Sequence, residues 1–284
     1  MKEIKEKEYT SEKEFLAHYD SSMFEKLSLT ADTLVFSVSE EHQDNYRKLN
    51  EKYFSVLLVK RNTYPYKDKW CLPGGFVDIK ESIYDAATRI LAREANLHDI
   101  YMEQLYTYGD VKRDPRMRVV STAYMALIDK NQIEDSLADN ASWFNIVSVE
   151  EVEQKDKSID ITYVLNNGEE DIVIKCNKKR VSPKGEHYTY TITENKKLAF
   201  DHAKVIVQGR ERLKNKIEYT DIVFNMMPEY FTLGELQQVY EAILGKKLLD
   251  PAFRRIIEKK VVKTTKLKKG EGHRPSALFK YANR

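Results

Sequence analysis

Apolar positions change their period several times along this chain, and each change marks a new element. Residues 33–37 and 53–60 are dense in β-branched and aromatic side chains and predict strands, with the polar stretch 40–52 between them as an exposed loop. Gly74-Gly75 breaks the chain before a helix expected over 82–95, where Ser82 and Asp85 have the spacing of a capping pair. Two further strands are predicted at 101–109 and 119–128, and 141–144 closes this first α/β unit. The segments 159–165, 172–178 and 187–192 alternate apolar and polar residues at period two. Asn166-Asn167-Gly168 and Ser182-Pro183-Lys184-Gly185 separate them, so a small three-stranded antiparallel insert is expected. The pattern turns helical again over 198–213. Thr232-Leu233-Gly234-Glu235 is a capping box that opens a helix through Leu244, which Gly245 ends. Asp250-Pro251, an N-cap followed by proline, opens a second helix to about residue 260, and two short strands at 261–265 and 276–281 flank a loop at 268–275.

These breaks suggest a charged helical lead-in at 1–25, an α/β domain at 26–155, the β insert at 156–196, a linker helix region at 197–228 and a small terminal domain at 229–284. Charge sharpens that last boundary. The net charge is +2, yet residues 251–284 carry eleven Lys and Arg against only Glu258 and Glu271. An acidic body joined to a basic end is the distribution of a polyanion-binding module fused to something else. Two short helices followed by a basic hairpin describe a winged helix-turn-helix. Arg254, Arg255, Lys259 and Lys260 of the second helix would then face DNA, with His273 and Arg274 in the wing. A solvated basic face or a protein-contact domain would have the same charge. No apolar run approaches a membrane span, and the mixed-charge N-terminus has no signal-peptide core. Cys71 and Cys176 are too isolated for a disulfide framework or a zinc site, so a cytoplasmic location is expected.

Candidate chemistry is concentrated between Leu72 and Leu97. Gly75, Glu81, Arg89, Leu91 and Glu94 stand in register with the Nudix box, which this stretch resembles. Ile90 and Arg93 replace two of its glutamates, and Asn96 replaces its last glycine. In that family, the resemblance implies, three carboxylates on one helix face hold Mg²⁺ against a pyrophosphate. Here the same face would show Ile90, Arg93 and Glu94, with Glu81 either pointing inward or paired with Arg89. If the chain were a hydrolase, Glu81 and Glu94 would be the residual catalytic and metal-binding groups, and Mg²⁺ would be required. Arg93 could instead take part of the metal's place by binding a diphosphate directly, or simply lie on a solvated face. Arg113, Arg116 and Arg118 resemble the loop and strand after the box in ADP-ribose-processing Nudix proteins, which implies a place near the ligand's phosphates or ribose, a charged hairpin tip being the alternative; Gly74 and Gly75 are further ligand-binding candidates. Trp70 would either stack on adenine or finish the core.

Three stretches, Leu198-Ala199-Phe200-Asp201-His202, 231–241 and Gly272-His273-Arg274-Pro275, resemble the NrtR family of Nudix-related transcriptional regulators. The resemblance covers most of the chain from Leu27 onward, outside the insert. It implies an α+β Nudix fold followed by a winged helix, a homodimer on a palindromic operator, and ADP-ribose or a related NAD or sugar metabolite as effector. No cofactor is needed for such a regulator. The alternatives are a Mg²⁺-dependent pyrophosphohydrolase and a protein-interaction module that has lost both ligands.

Overall fold

The computed structural model describes residues 11–41, 51–129, 137–182, 187–268 and 275–283, apart from positions 21 and 23. The expected strands and helices are present at nearly the expected places. A short helix α1 (Glu12–His18) buries none of its side chains. Strands β1 (Ser28–Glu41) and β2 (Glu51–Lys60) then cross the centre of the molecule, followed by short β3 (Trp70–Cys71) and β4 (Gly74–Phe76). Helix α2 (Ile83–Ala95) begins at the predicted capping box, in which the Ser82 hydroxyl accepts from the Asp85 N–H and the Asp85 carboxylate accepts from the Ser82 N–H. It ends on Asn96 in the left-handed region, the residue standing where the box has glycine.

Strands β5 (Met102–Tyr108), β6 (Val119–Leu127) and β7 (Ala141–Glu153) complete the central sheet. The expected insert is formed by β8 (Ile159–Asn166), β9 (Asp171–Arg180) and β10 (Tyr188–Asn195), but these do not stand apart. Because β7 runs on well past residue 144, β8 pairs with it and the main sheet simply continues, in the order β10-β9-β8-β7-β2-β1-β6-β5. Only β1 and β6 run parallel; β3 and β4 pair antiparallel with β2 and β1.

The two faces of this sheet are covered by different helices. On one, Ala86, Ala87, Ile90 and Leu91 of α2 pack on Ala31, Val35 and Leu57. On the other lies α3 (His202–Lys216). Its start is four residues later than the apolar spacing predicts. Leu198 is bridged to Trp70, the Ala199 N–H donates to the Trp70 carbonyl, and Phe200 has φ of +50°, so 198–200 is tied to the sheet before the helix can begin.

A 3-10 turn (Ile222–Met226), not anticipated from the sequence, leads into α4 (Leu233–Leu244) and α5 (Asp250–Ile257), then the hairpin β11 (Val261–Lys268) and β12 (Ser276–Tyr281). The Thr232/Glu235 capping box and the Gly245 C-cap of α4 are as predicted. Asp250, by contrast, is the first residue of α5 and not its cap; its carboxylate accepts instead from Gln237 of α4, tying the two helices together. One apolar core runs from Leu34 and Leu58 of the sheet through Val205 and Ile206 of α3 to Leu236, Val239 and Phe253 of the terminal domain.

Candidate functional site

A cavity of about 450 Å³ opens where β1, β2, β4, α2 and the start of α3 converge. Gly74 and Gly75 are among its lining residues. Gly74 pairs with Asp32 across β1 and β4, so close that a Cβ would come within 2.1 Å of Asp32 Oδ1. That approach, and not backbone conformation, requires glycine here. Lys60 and Arg61 stand at the end of β2, Arg93 and Glu94 on α2, and Arg116 and Phe200 on the opposite wall.

Behind this cavity is a buried polar cluster that spacing alone does not reveal. Arg113 is nearly enclosed and forms a forked pair with Asp201, Nε to Oδ2 at 3.0 Å and Nη2 to Oδ1 at 2.7 Å. Its Nη2 also reaches Asp32 Oδ2 at 3.3 Å, and Ser121 Oγ donates to that same oxygen at 2.5 Å. Burial opposes the charge on Arg113, but the Asp201 hydrogen bonds and the neighbouring Asp32 carboxylate outweigh it and raise the guanidinium pKa. Next to Asp201, His202 accepts the Leu72 N–H on Nδ1 at 2.9 Å. Burial depresses its pKa against the opposing pull of Asp32 and Asp201, so the ring is held neutral. Asp32 and Ser121 were not among the expected site residues. The available signal was one carboxylate inside the apolar run of β1.

The metal-ligand face of a Nudix box is absent from α2. Ile90 is fully buried in the core beneath the sheet. Arg93 and Glu94 pair with each other, Nη2 to Oε1 at 2.8 Å. Glu81 lies off the cavity wall, its carboxylate taken by Arg89 at 2.5 and 2.9 Å and by the Asp78 N–H. Those hydrogen bonds, led by that from Arg89, hold the Glu81 pKa at about 2. Among the described residues no three His, Cys, Asp or Glu side chains are placed to hold a metal ion. The three cavity carboxylates, Asp32, Glu94 and Asp114, are each paired with a guanidinium (Arg113, Arg93 and Arg116), a set that does not fit Mg²⁺, and Glu81 is not placed for the catalytic or metal role it was a candidate for.

The other expected ligand residues divide. Gly74, Gly75, Arg93 and Arg116 line the cavity. Arg116 is held by Asp114 at 2.8 Å and lies over the rings of Phe76 and Phe200, at 5.2 and 5.9 Å from their centroids. Arg113 reaches the wall, but with its donors already turned to Asp201 and Asp32. Arg118 is on the outside, its guanidinium given to the Asp110 and Val119 carbonyls. Trp70 is core: its ring meets Phe144 edge-on and its indole N–H donates to Glu170 at 3.0 Å, so the stacking role expected of it has no geometry here. The aromatic faces on the cavity are Phe76 and Phe200.

At the far end of the chain, α5 buries Phe253 and Ile257 and exposes Arg254 and Arg255; it ends at Ile257, short of the expected residue 260, so Lys259 is exposed in the turn beyond it. Lys260 is not part of that face. Its ammonium is bound to the Thr220 carbonyl at 3.0 Å and to Asp221 at 2.9 Å, which fastens the end of α5 to the linker. His273 and Arg274 fall outside the described residues.

Sheet, box helix and cavity together define a Nudix-type domain, and α4, α5 and the β11–β12 hairpin define a winged helix joined to it. Residues 46–166 match the NUDIX domain model, and residues 223–281 match that of the NrtR DNA-binding winged helix domain. The chain is 32% identical over 281 residues to the ADPR responsive transcriptional repressor NtrR of Acinetobacter baylyi, spanning 96% of this chain and 90% of that protein. It is similar to the crystal structure of Shewanella oneidensis NrtR complexed with a 27mer DNA, with TM-score 0.62 and 27% identity over 89% of this chain and 93% of that one. A MutT/nudix family protein from Enterococcus faecalis shares the fold, with TM-score 0.66 and 24% identity over 95% and 93% of the two chains. The chain belongs to the NrtR family of Nudix-related transcriptional regulators. Among the described residues no helix is long and apolar enough to cross a membrane.

Proposed function

We propose that this regulator binds operator DNA through its winged helix and that ADP-ribose, or a closely related diphosphate, sets its affinity by occupying the Nudix cavity. The observation that carries this reading is the exchange of cation for cation at the box: carboxylates that would hold Mg²⁺ are gone, while Lys60, Arg61, Arg93 and Arg116 stand around the same cavity. Guanidinium groups bind a diphosphate directly by forked, charge-assisted hydrogen bonds. Phe76 and Phe200 offer apolar faces for a base or ribose. The similarity to an ADPR responsive repressor over 96% of the chain supports the same effector class.

On the DNA side, Arg254 and Arg255 form an exposed cationic face on the second helix of a helix-turn-helix, the element that enters a major groove, and Lys259 is exposed just beyond its end. Palindromic operators are read by two-fold dimers, so a homodimer is the assembly this reading requires. Hydrolysis is not part of it, because the donor set does not fit the metal that the reaction needs.

The test is binding of the purified protein to DNA from upstream of its own gene, over a salt series, with and without ADP-ribose and with EDTA throughout. The expected result is salt-sensitive, sequence-preferring binding that ADP-ribose shifts without any divalent cation. Absence of preference over random DNA would overturn the operator reading. Mg²⁺-dependent release of AMP at an ordinary enzymatic rate would favour a pyrophosphohydrolase.

A further inference from the structure

Asp201 is the N-cap residue of α3, yet it makes no capping hydrogen bond and its backbone, at φ −96° and ψ 16°, is not in the extended conformation of the Ser11, Ser82, Thr232 and Leu249 caps of the other α-helices. Aspartate is among the best N-cap residues, because its carboxylate accepts the free N–H groups of the first turn. Here that carboxylate is occupied in a fork with Arg113. Arg113 lines the cavity, so the group that holds Asp201 away from its helix is within reach of whatever fills the site. Asp32 is a second partner of Arg113, itself bound by Ser121, and would keep the guanidinium neutralised if Asp201 left. Two discrete arrangements are thus open to one carboxylate.

We propose that Asp201 is a two-position switch: it clamps Arg113 when the cavity is empty, and releases Arg113 to cap α3 when an anionic ligand enters. The proposal rests on the reading of the cavity as the effector site. Diphosphate oxygens compete with Asp201 for the donors of Arg113 and repel the Asp201 carboxylate, so the ligand binds the released state more tightly. That difference in affinity is what moves a two-state equilibrium. Release re-aims the first turn of α3 and the residue before it, Phe200, whose left-handed backbone is the strained point of the connection.

The consequence reaches DNA because α3 touches the winged helix directly. Two turns beyond His202, Arg210 is buried with its guanidinium against Gly245, the C-cap of α4; a Cβ at Gly245 would meet Arg210 Nη2 at 3.0 Å. A shift of α3 along or about its axis therefore displaces α4, which carries α5.

Asp201→Asn provides the test, because asparagine caps as well as aspartate but has no charge with which to hold Arg113. The variant should bind ADP-ribose more tightly, by a factor on the order of ten. Without ligand it should already have the operator affinity that wild type reaches only when saturated with ADP-ribose. Asp201→Ala, which neither clamps nor caps, should gain ligand affinity without reproducing that operator affinity. A merely structural role for Asp201 would weaken both binding reactions, and that result would overturn the switch. So would an Asp201→Asn protein that keeps the wild-type ligand affinity and the wild-type ratio of operator affinities. Should the variants fail to fold, the Arg113 Nε–H resonance of the wild-type protein gives the answer. Its loss or large shift on saturation with ADP-ribose supports release, and its persistence overturns it. Failure of wild type to bind ADP-ribose at all would instead remove the effector reading and the switch with it.

Discussion

Helices α2 and α5 are both short amphipathic helices carrying arginines, and they use those arginines in opposite ways. On α2 the charges are spent within the protein: Arg89 holds Glu81 and Arg93 holds Glu94, while Ile90 fills the core where the Nudix box has a carboxylate. On α5, Phe253 and Ile257 anchor the helix, and Arg254 and Arg255 face solvent with no ion pair among the described residues. On α2 only the Arg93–Glu94 pair lines the cavity, and the rest of the helix serves as scaffold. Exposed, unpaired guanidinium groups such as those of α5 are available to an external anion. The helix with the stronger motif thus has more of its charge paired within the chain, and the one with less motif leaves more of it exposed.

The sharpest way to break this contrast is to remove the core side chain of α2. Ile90→Ala should cost about 2–5 kcal/mol of stability by lost burial and cavity formation, read by urea unfolding. A loss below about 1 kcal/mol would mean that Ile90 is not the structural replacement described here. Next comes the recognition face. Replacing Arg254 and Arg255 together by alanine should cost about 1–3 kcal/mol of operator affinity for each side chain that contacts a base, with the melting temperature and ADP-ribose binding unchanged. Unaltered operator affinity in a gel-shift titration would place DNA recognition elsewhere.

The smallest effect concerns His202. Its folded pKa is depressed by burial, so the unfolded chain takes up the proton first. Stability is then full above the ordinary imidazole pKa of about 6.5 and falls as pH drops below it. His202→Asn keeps an acceptor for the Leu72 N–H but cannot titrate. Its melting temperature should fall less than that of wild type between about pH 7.5 and 5.5. Equal slopes would show that the imidazole does not contribute to the acid sensitivity of the protein.

Most of the fold was legible because its signals are local. The Ser82 and Thr232 capping boxes, the Gly245 stop and the period-two strands each act within a few residues. What was missed depends on distance. That β8 to β10 extend the main sheet follows from how far β7 runs, and the late start of α3 follows from the tie between Leu198 and Trp70. The same applies to the site. Gly74, Gly75, Arg93 and Arg116 could be found by register with a motif. Asp32 and Ser121 come from strands far apart in the chain and meet only because β1 and β6 run side by side in parallel. Spacing left the Glu81–Arg89 pair as one of two readings, but it does not reveal that Arg113, Trp70 and Lys260 have their polar atoms committed to Asp201, Glu170 and Asp221.

The apolar core that passes without interruption from the sheet through α3 into α4 and α5 has a bearing on how such a protein can change over time. Two domains on a flexible tether can be recombined, each keeping its own stability. Here Val239 and Phe253 belong to the same packed interior as Leu34 and Leu58, so the two halves share buried apolar surface. Exposed side chains on α5 can change without touching that shared interior, whereas exchanging the terminal domain would also replace Leu236, Val239 and Phe253 within it.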